Sequence, residues 1–331
     1  MDVVSQKISI VMPVRNETKR IQPALDSVLS QDYPKDLLEI IVADGISEDG
    51  TGKILEEYQS HCSFLKVIQN PKKIVSTGLN VCISQARGNI IIRMDGHTVI
   101  APDYVRQCVA VLQRTGADNV GGKMSATGEN MFGEAVALAT SCRFGIGNSK
   151  FHYSDREEWV DTVYLGAWRK ETFDKIGLFD EELVRNQDDE FNYRLLEAGG
   201  RILLSPEIKS KYIARGSVTG LWSQYFQYGF WKVRVMQKHP RRMKMRHFAP
   251  PLFAAGILIA AAAALFLNST PLAAILLIYG SASLIASALI AFQKGGRYFL
   301  LLPVVFFILH FSYGLGFLCG LVRFAGRWRN S

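Results

Sequence analysis

The chain has 331 residues and a net charge of +8, long enough for one large domain plus a further element, or for two domains. The charge is divided sharply: up to Glu207 there are 30 acidic and 23 basic residues, and beyond it 15 basic residues and no acidic one. That asymmetry points to an anionic surface met by one region alone. Nucleic acid is excluded as that surface, because the late basic residues are interleaved with apolar runs of membrane-spanning length.

The opening stretch MDVVSQKISIVMPVRN has no basic segment followed by a long apolar one, so no signal peptide is expected. From Ile8 the chain alternates short β-branched runs with helical patterns: ISIVMPV, KRIQPALDSVLSQ, LEIIVADG, GKILEEYQSH, LKVIQN, a helix near Ser76 to Gln85, then NIIIRMDG. Apolar runs separated by amphipathic helices predict βα units around a mainly parallel sheet. Ligands of such sheets bind beyond the carboxyl ends of the strands, where Pro13 to Glu17, Asp44 and Asp95 fall.

After Asp95 the pattern loosens. The stretch GGKMSATGENMFGEAVALATSCRFGIGNSK predicts a strand, a helix and a mobile loop, and VDTVYLGAWRKETFDKIG a strand and the start of a helix. NQDDEFNYRLLEAGG predicts a helix opened by acids and closed by glycine, as the helix dipole and C-cap favour. The five cysteines, Cys62, Cys82, Cys108, Cys142 and Cys319, are scattered and odd in number, without metal-ligand or paired spacing, and read as reduced thiols.

Near Arg215 to Gly220 the acids have ceased and LWSQYFQYGFWKVRVM begins, a helix expected at a membrane interface. Phe248 to Leu267, Leu272 to Phe292 and Tyr298 to Val322 are nearly charge-free, each about the 20 residues that cross a bilayer. The expected domains are therefore 1–215, a soluble α/β domain; 216–247, an amphipathic basic interfacial region; and 248–331, a membrane domain of three apolar segments. The cluster Lys232 to His247 belongs on the cytoplasmic side by the positive-inside rule, beside anionic lipid headgroups. This predicts a multi-pass protein of the inner membrane with its soluble N-terminal domain in the cytoplasm. Three full crossings would carry Arg323, Arg327 and Arg329 to the far side, against the same rule. Either the last segment, with Pro303, His310 and the break Tyr313 to Gly316, re-enters, or the tail tolerates the violation.

Among groups that could do chemistry, Asp44 ends an apolar strand, where a carboxylate can accept hydrogen bonds from a nucleobase or ribose. Asp49 and Thr51 suit a helix cap. Asp95 and His97, two apart at another strand end, are a weak signal by themselves, since Asp-Gly after a β-run often marks a turn.

In order, VMPVRNE, VADGISEDGT, STGLNVCISQARG, RMDGH and NQDDEFNYRLLEAGG resemble the inverting glycosyltransferases of family 2 over about 200 residues. The later QYFQYGFWKVRVMQKHP with its apolar segments is similar to the membrane-attached, succinoglycan-type, ExoA-like subgroup. The resemblance implies a GT-A fold, an α/β nucleotide-binding domain with a mainly parallel mixed sheet. It also implies that Pro13, Arg15, Glu17, Asp44, Asn80, Arg93 and Asp95 border a nucleotide-sugar donor, and that Asp95 and His97 hold a divalent cation on its diphosphate. His97 replaces the last Asp of the family's D-x-D element, and its borderline nitrogen suits Mn²⁺ better than Mg²⁺.

NQDDEFNYR matches the family's E-D segment, with Gln187 where Glu is commoner, and Asp188 aligns with the general base; Asp189 is the second candidate. Gly166 and Trp168 fall where family members meet the acceptor, although core packing is an equal reading for Trp168. The Q-x-x-R-W element of processive synthases is met by Gln227 to Trp231 with Phe230 in place of Arg, which argues against extrusion of a polymer. The implied activity is transfer of one hexose, glucose from UDP-glucose, to a polyprenyl-diphosphate-linked saccharide in exopolysaccharide synthesis. The alternatives are a polyprenyl-phosphate sugar synthase and a non-catalytic scaffold of polysaccharide export.

Overall fold

A computed structural model describes residues 6–328; the start of the expected signal-free N-terminus and Arg329 lie outside the described residues. The chain folds as two compact units. One comprises the chain up to Ser125 and Lys150–Tyr212, the other Ala126–Ser149 and Ile213 onward.

The first unit begins with the expected alternation: β1 (Ile8–Val14), α1 (Ile21–Leu29), β2 (Leu38–Asp44), α2 (Thr51–His61), β3 (Leu65–Gln69), α3 (Val75–Gln85) and β4 (Ile90–Arg93). β2 and β4 flank β1 in parallel, with Val14 opposite Asp44 and Ile8 opposite Ile90, and β3 adds outside β2. β1 is apolar except for Ser9 because both its faces are covered. Ile8, Ile10 and Met12 enter a core with α1 and α2, and Val11 enters a second core with α3.

The chain continues through β5 (Thr98–Ile100), α4 (Tyr104–Thr115), β6 (Asn119–Thr127), α5 (Met131–Thr140), α6 (Arg143–Ile146), β7 (Glu158–Val160), β8 (Tyr164–Arg169), α7 (Glu171–Ile176), α8 (Gln187–Glu197) and β9 (Ile202–Ile213). The strand order is β3-β2-β1-β4-β8-β6-β9-β5, with β7 on β9. β8 runs antiparallel to β4, so the sheet turns from parallel to mixed beside β4. β9 is not evident from sequence because Pro206 interrupts it. Its ladder with β7 ends at Leu204 and its ladder with β5 begins at Ser210, so the proline's missing N–H falls between the two.

The second unit contains α9 (Val218–Lys238), α10 (Met245–Phe266), α11 (Thr270–Lys294) and α12 (Leu301–Arg323). The last three are long and apolar enough to cross a membrane. α9 packs lengthwise on α12, and glycines allow the approach: a Cβ at Gly229, Gly316 or Gly320 would collide with the carbonyl of Tyr313, Phe226 or Phe230 respectively. The second unit takes up the chain again at Ile213. Ala126–Ser149 departs from the expected 1–215 span. It joins the second unit, where the Phe144 ring meets Phe306 and His310 of α12.

In the first unit, α8 is held by Phe191, which is fully buried among Trp168, Phe173 and Phe179. Replacing Phe191 by Ala is expected to lower stability by about 3–5 kcal/mol, read as a fall of several degrees in the thermal midpoint of detergent-purified protein.

Candidate active site

The carboxyl ends of β1, β2 and β4 lie side by side, and the loops that follow carry the polar residues singled out above. Loop 15–18 is latched to loop 46–51. Asn16 N donates to Ser47 Oγ (2.9 Å), Glu48 N to Asn16 Oδ1 (2.9 Å) and Glu17 N to Thr51 Oγ1 (2.9 Å). Asp49 accepts from Thr18 N at 3.1 Å and Thr51 N at 3.0 Å. Desolvation raises its carboxyl, but the hydrogen bonds from Thr18 and Thr51 outweigh this and hold it well below the usual range. Asp49 thus serves the start of α2 as its cap-like acceptor.

Asp44 ends β2, and its Oδ1 accepts from Ser47 Oγ at 2.6 Å and Ser47 N at 3.2 Å. The intervening Ile46 has φ of 55°, a conformation rare for a β-branched residue. Pro13 is buried opposite Ala43 in β1, and Arg15 is exposed, its Cβ 3.1 Å from where a Cβ on Gly45 would stand. Glycine at 45 therefore gives the Arg15 stem room to cross the end of β2.

Arg93 is the pivot of the site. Its side chain is 8% exposed at the end of β4, with Nη2 3.0 Å and Nε 3.1 Å from Asp95 Oδ1. Its Nη1 is 3.7 Å from Asp188 Oδ2, in the first turn of α8. Burial alone would lower the guanidinium's pKa; the charges of Asp95 and then Asp188 outweigh it and raise it. A buried cation needs such partners, so it gathers two carboxylates that would otherwise repel one another. On the other side, His97 Nδ1 lies 2.8 Å from Glu17 Oε1, and its ring meets Tyr212 of β9 edge-on at 5.7 Å.

The adjacent acids of α8 diverge. Glu190 is buried and paired with Arg194, Nε to Oε1 at 2.9 Å, whereas the Asp188 side chain is 45% exposed and faces Arg93. Asp189 donates its backbone N–H to Asp188 Oδ1 at 2.9 Å, which orients that carboxylate.

Four of the residues singled out, Arg93, Asn80, Gly166 and Trp168, are held inside the first unit. Arg93 was expected on the nucleotide but is turned inward, its fork occupied by Asp95. Asn80 is likewise buried: its Nδ2 donates to Phe179 O at 2.8 Å and its Oδ1 accepts from Phe179 N at 2.9 Å, so its amide holds the 179–181 turn. Trp168 is 2% exposed in the aromatic core, which is the packing reading of the two. Gly166 has φ of 106°, and a Cβ there would strike the Trp168 ring, so its role in β8 is conformational. Gln227 and Trp231 belong to α9 of the second unit. Gln227 Nε2 donates to Ser223 Oγ at 3.2 Å, and the Trp231 ring packs 5.5 Å from Phe324. The bridge from Arg93 to Asp188 and the neighbour Tyr212 had no sequence signal, because both join distant segments.

The Glycosyl transferase family 2 model matches residues 9–169. Succinoglycan biosynthesis protein ExoA of Rhizobium meliloti is 30% identical over 251 residues, covering 75% of this chain and 76% of that protein. The chain belongs to glycosyl transferase family 2. It is therefore a glycosyltransferase. A relative from Methanococcus voltae, dolichyl N-acetyl-alpha-D-glucosaminyl phosphate 3-beta-D-2,3-diacetamido-2,3-dideoxy-beta-D-glucuronosyltransferase, is 28% identical over 96% of this chain and 97% of its own length. The mannosyltransferase PcManGT of Pyrobaculum calidifontis, solved with GDP-Man and Mn²⁺, is 21% identical. It shares the fold with a TM-score of 0.60 over 96% of this chain and 88% of that one. The family 2 domain here is accordingly of the GT-A type.

Loss of the Arg93 bridge should be felt in turnover of this glycosyltransferase. Arg93→Met is expected to lower nucleoside diphosphate release roughly 100-fold, as small displacements of reacting groups do. Arg93→Lys, which keeps the charge but not the fork, should fall between. Comparison of release rates with thermal midpoints separates this effect from unfolding.

Proposed function

We propose that this glycosyltransferase moves a single hexose, glucose from UDP-glucose, to a polyprenyl-diphosphate-linked saccharide in exopolysaccharide synthesis. The observation that carries the reading is the convergence of Asp95 and Asp188 on Arg93 at the carboxyl edge of the sheet. Asp44 would take the base or ribose, with Pro13, Arg15 and Glu17 bordering the nucleotide. An acceptor hydroxyl oxygen attacks the anomeric carbon from the face opposite the diphosphate. The new glycosidic bond forms as the old bond breaks, the nucleoside diphosphate leaves with the electron pair, and the hydroxyl proton passes to Asp188. An α-linked donor then yields a β-linked product.

The donor set fits a divalent cation shared between protein and diphosphate. Among the described residues no group of three or more His, Cys, Asp or Glu could hold a metal alone, and phosphate-borne cations use few protein ligands. Asp95 and His97 would hold it. The hydrogen bond from His97 Nδ1 to Glu17 leaves Nε2 as the ligating nitrogen and fixes the ring. When bound, the cation neutralises charge on the leaving diphosphate. Support for such a cation comes from PcManGT, whose complex contains Mn²⁺ and GDP-Man. Support for a lipid-linked acceptor comes from the Methanococcus relative, a dolichyl N-acetyl-alpha-D-glucosaminyl phosphate glycosyltransferase, and support for polysaccharide synthesis from the Rhizobium succinoglycan protein.

Nucleoside diphosphate release, assayed over UDP-glucose, UDP-galactose, UDP-N-acetylglucosamine and GDP-mannose with a lipid extract, should occur with UDP-glucose and be abolished by EDTA. Release from GDP-mannose alone would overturn the donor assignment. Asp188→Asn should lower turnover by about 10²–10⁴-fold. An ionised lipid-phosphate acceptor needs no strong base, so near-normal activity in that variant would favour a polyprenyl-phosphate sugar synthase. His97→Asp should shift the preference from Mn²⁺ towards Mg²⁺; equal activity with both ions in wild type and variant would remove the argument from the imidazole.

A further inference from the structure

The three long apolar helices do not share one environment. Half of the most apolar stretch of α12 is buried by the protein, against 17% in α10 and 11% in α11. α10 exposes Leu258, Ile259 and Leu265, and α11 exposes Leu277, Ile285 and Phe292, whereas the body of α12 exposes few large apolar side chains. A helix apolar on all sides is buried either by lipid or by protein. For α12 the protein already supplies the cover.

Its partners show how it runs. Along α9 the two helices are parallel: Trp222 meets Phe311 at 6.2 Å, Phe230 meets Phe324 at 5.0 Å, and Gln237 Nε2 donates to Phe324 O at 2.9 Å. α10 is only crossed. Phe248 lies 6.2 Å from Phe317 and Phe253 lies 6.4 Å from Phe307, so a short advance along α10 matches a longer retreat along α12. A polar link ties α12 to α11, Tyr279 Oη to His310 Nδ1 at 2.8 Å.

The ends of α12 decide the topology. If α10 and α11 each cross, α12 starts on the side from which α10 starts. Its other end is hydrogen-bonded to Gln237 at the end of α9, and α9 leads through Lys238, Arg241, Arg242 and Lys244 directly into α10. That end is therefore on the same side as well.

We propose that α10 and α11 cross the bilayer as a hairpin and that α12 does not cross, lying instead with α9 at the membrane surface from which α10 starts. Arg323 and Arg327 then join the basic cluster on one anionic lipid leaflet, and the conflict with the positive-inside rule disappears. The glycines of α12 serve close packing rather than a break in a span, and Pro303 stands in the first turn, where a missing N–H costs no helical hydrogen bond. The arrangement rests on membrane insertion of α10 and α11 and not on the sugar transferred.

The test is cysteine accessibility in intact bacterial cells, with Cys319→Ser as background and Asn268→Cys, Gly296→Cys or Gly326→Cys added at exposed turns. A membrane-impermeant maleimide should label position 268 in intact cells and positions 296 and 326 only after permeabilisation. Labelling of position 326 together with 268 in intact cells would establish a third crossing and overturn the proposal. Failure to label 268 until permeabilisation would overturn it also, since the hairpin would not cross. A carboxy-terminal alkaline phosphatase fusion on the otherwise unaltered chain, expected to be inactive, gives an independent reading; an active fusion refutes the proposal. None of these readouts needs transferase activity, so they stand apart from the donor and acceptor assays.

Discussion

A single buried guanidinium sets the geometry of the catalytic unit. Arg93 sits at the last position of a strand whose other residues are wholly apolar, where an unpartnered charge would be strongly destabilising. Its requirement for counter-charge draws in Asp95 from the next loop and Asp188 from the first turn of α8. The sheet serves that meeting. Because β8 pairs antiparallel with β4, it ends beside Ile90, at the far end of β4 from Arg93, and the chain then runs through α7 before the first turn of α8 meets the guanidinium. The aromatic core around Phe191 then fixes the helix that presents Asp188.

The second unit applies the same rule in an apolar setting, where a polar group without a partner is again expensive. His310 meets the carbonyl of Phe144 at 2.9 Å and Tyr279 at 2.8 Å, and Glu134 accepts from Tyr298 Oη at 2.6 Å. These contacts attach Ala126–Ser149 to the apolar helices, which explains why a segment interior to the catalytic sequence belongs to the other unit. The apolar side chains there supply area, and the few polar ones supply register.

Much of this was legible in the chain. The first four strands and three helices follow from local periodicity, the helix opened by Asp188 follows from its acids and the following glycine, and the three apolar helices follow from length and hydropathy. What escaped was non-local. β5 and β7 are three-residue strands that exist only as partners of β9, and β9 itself is disguised by its proline and charged residues. At the site, Asp44, Asp95, His97 and Asp188 stand at the expected element ends, while Arg93, Asn80 and Trp168 turned inward. Strand alternation shows that a side chain leaves the sheet on one face; it does not show whether that face is covered.

The sequence by itself determined the family, the βα order, the candidate carboxylates and which helices are apolar enough for a bilayer, because each depends on neighbours in the chain. Only the tertiary structure decided that Arg93 binds Asp95 and Asp188 together, that Asn80 and Trp168 are buried, and that α12 is covered by α9. Those outcomes depend on how buried charge and apolar surface find partners from distant segments, and a linear pattern carries no record of which partner is within reach.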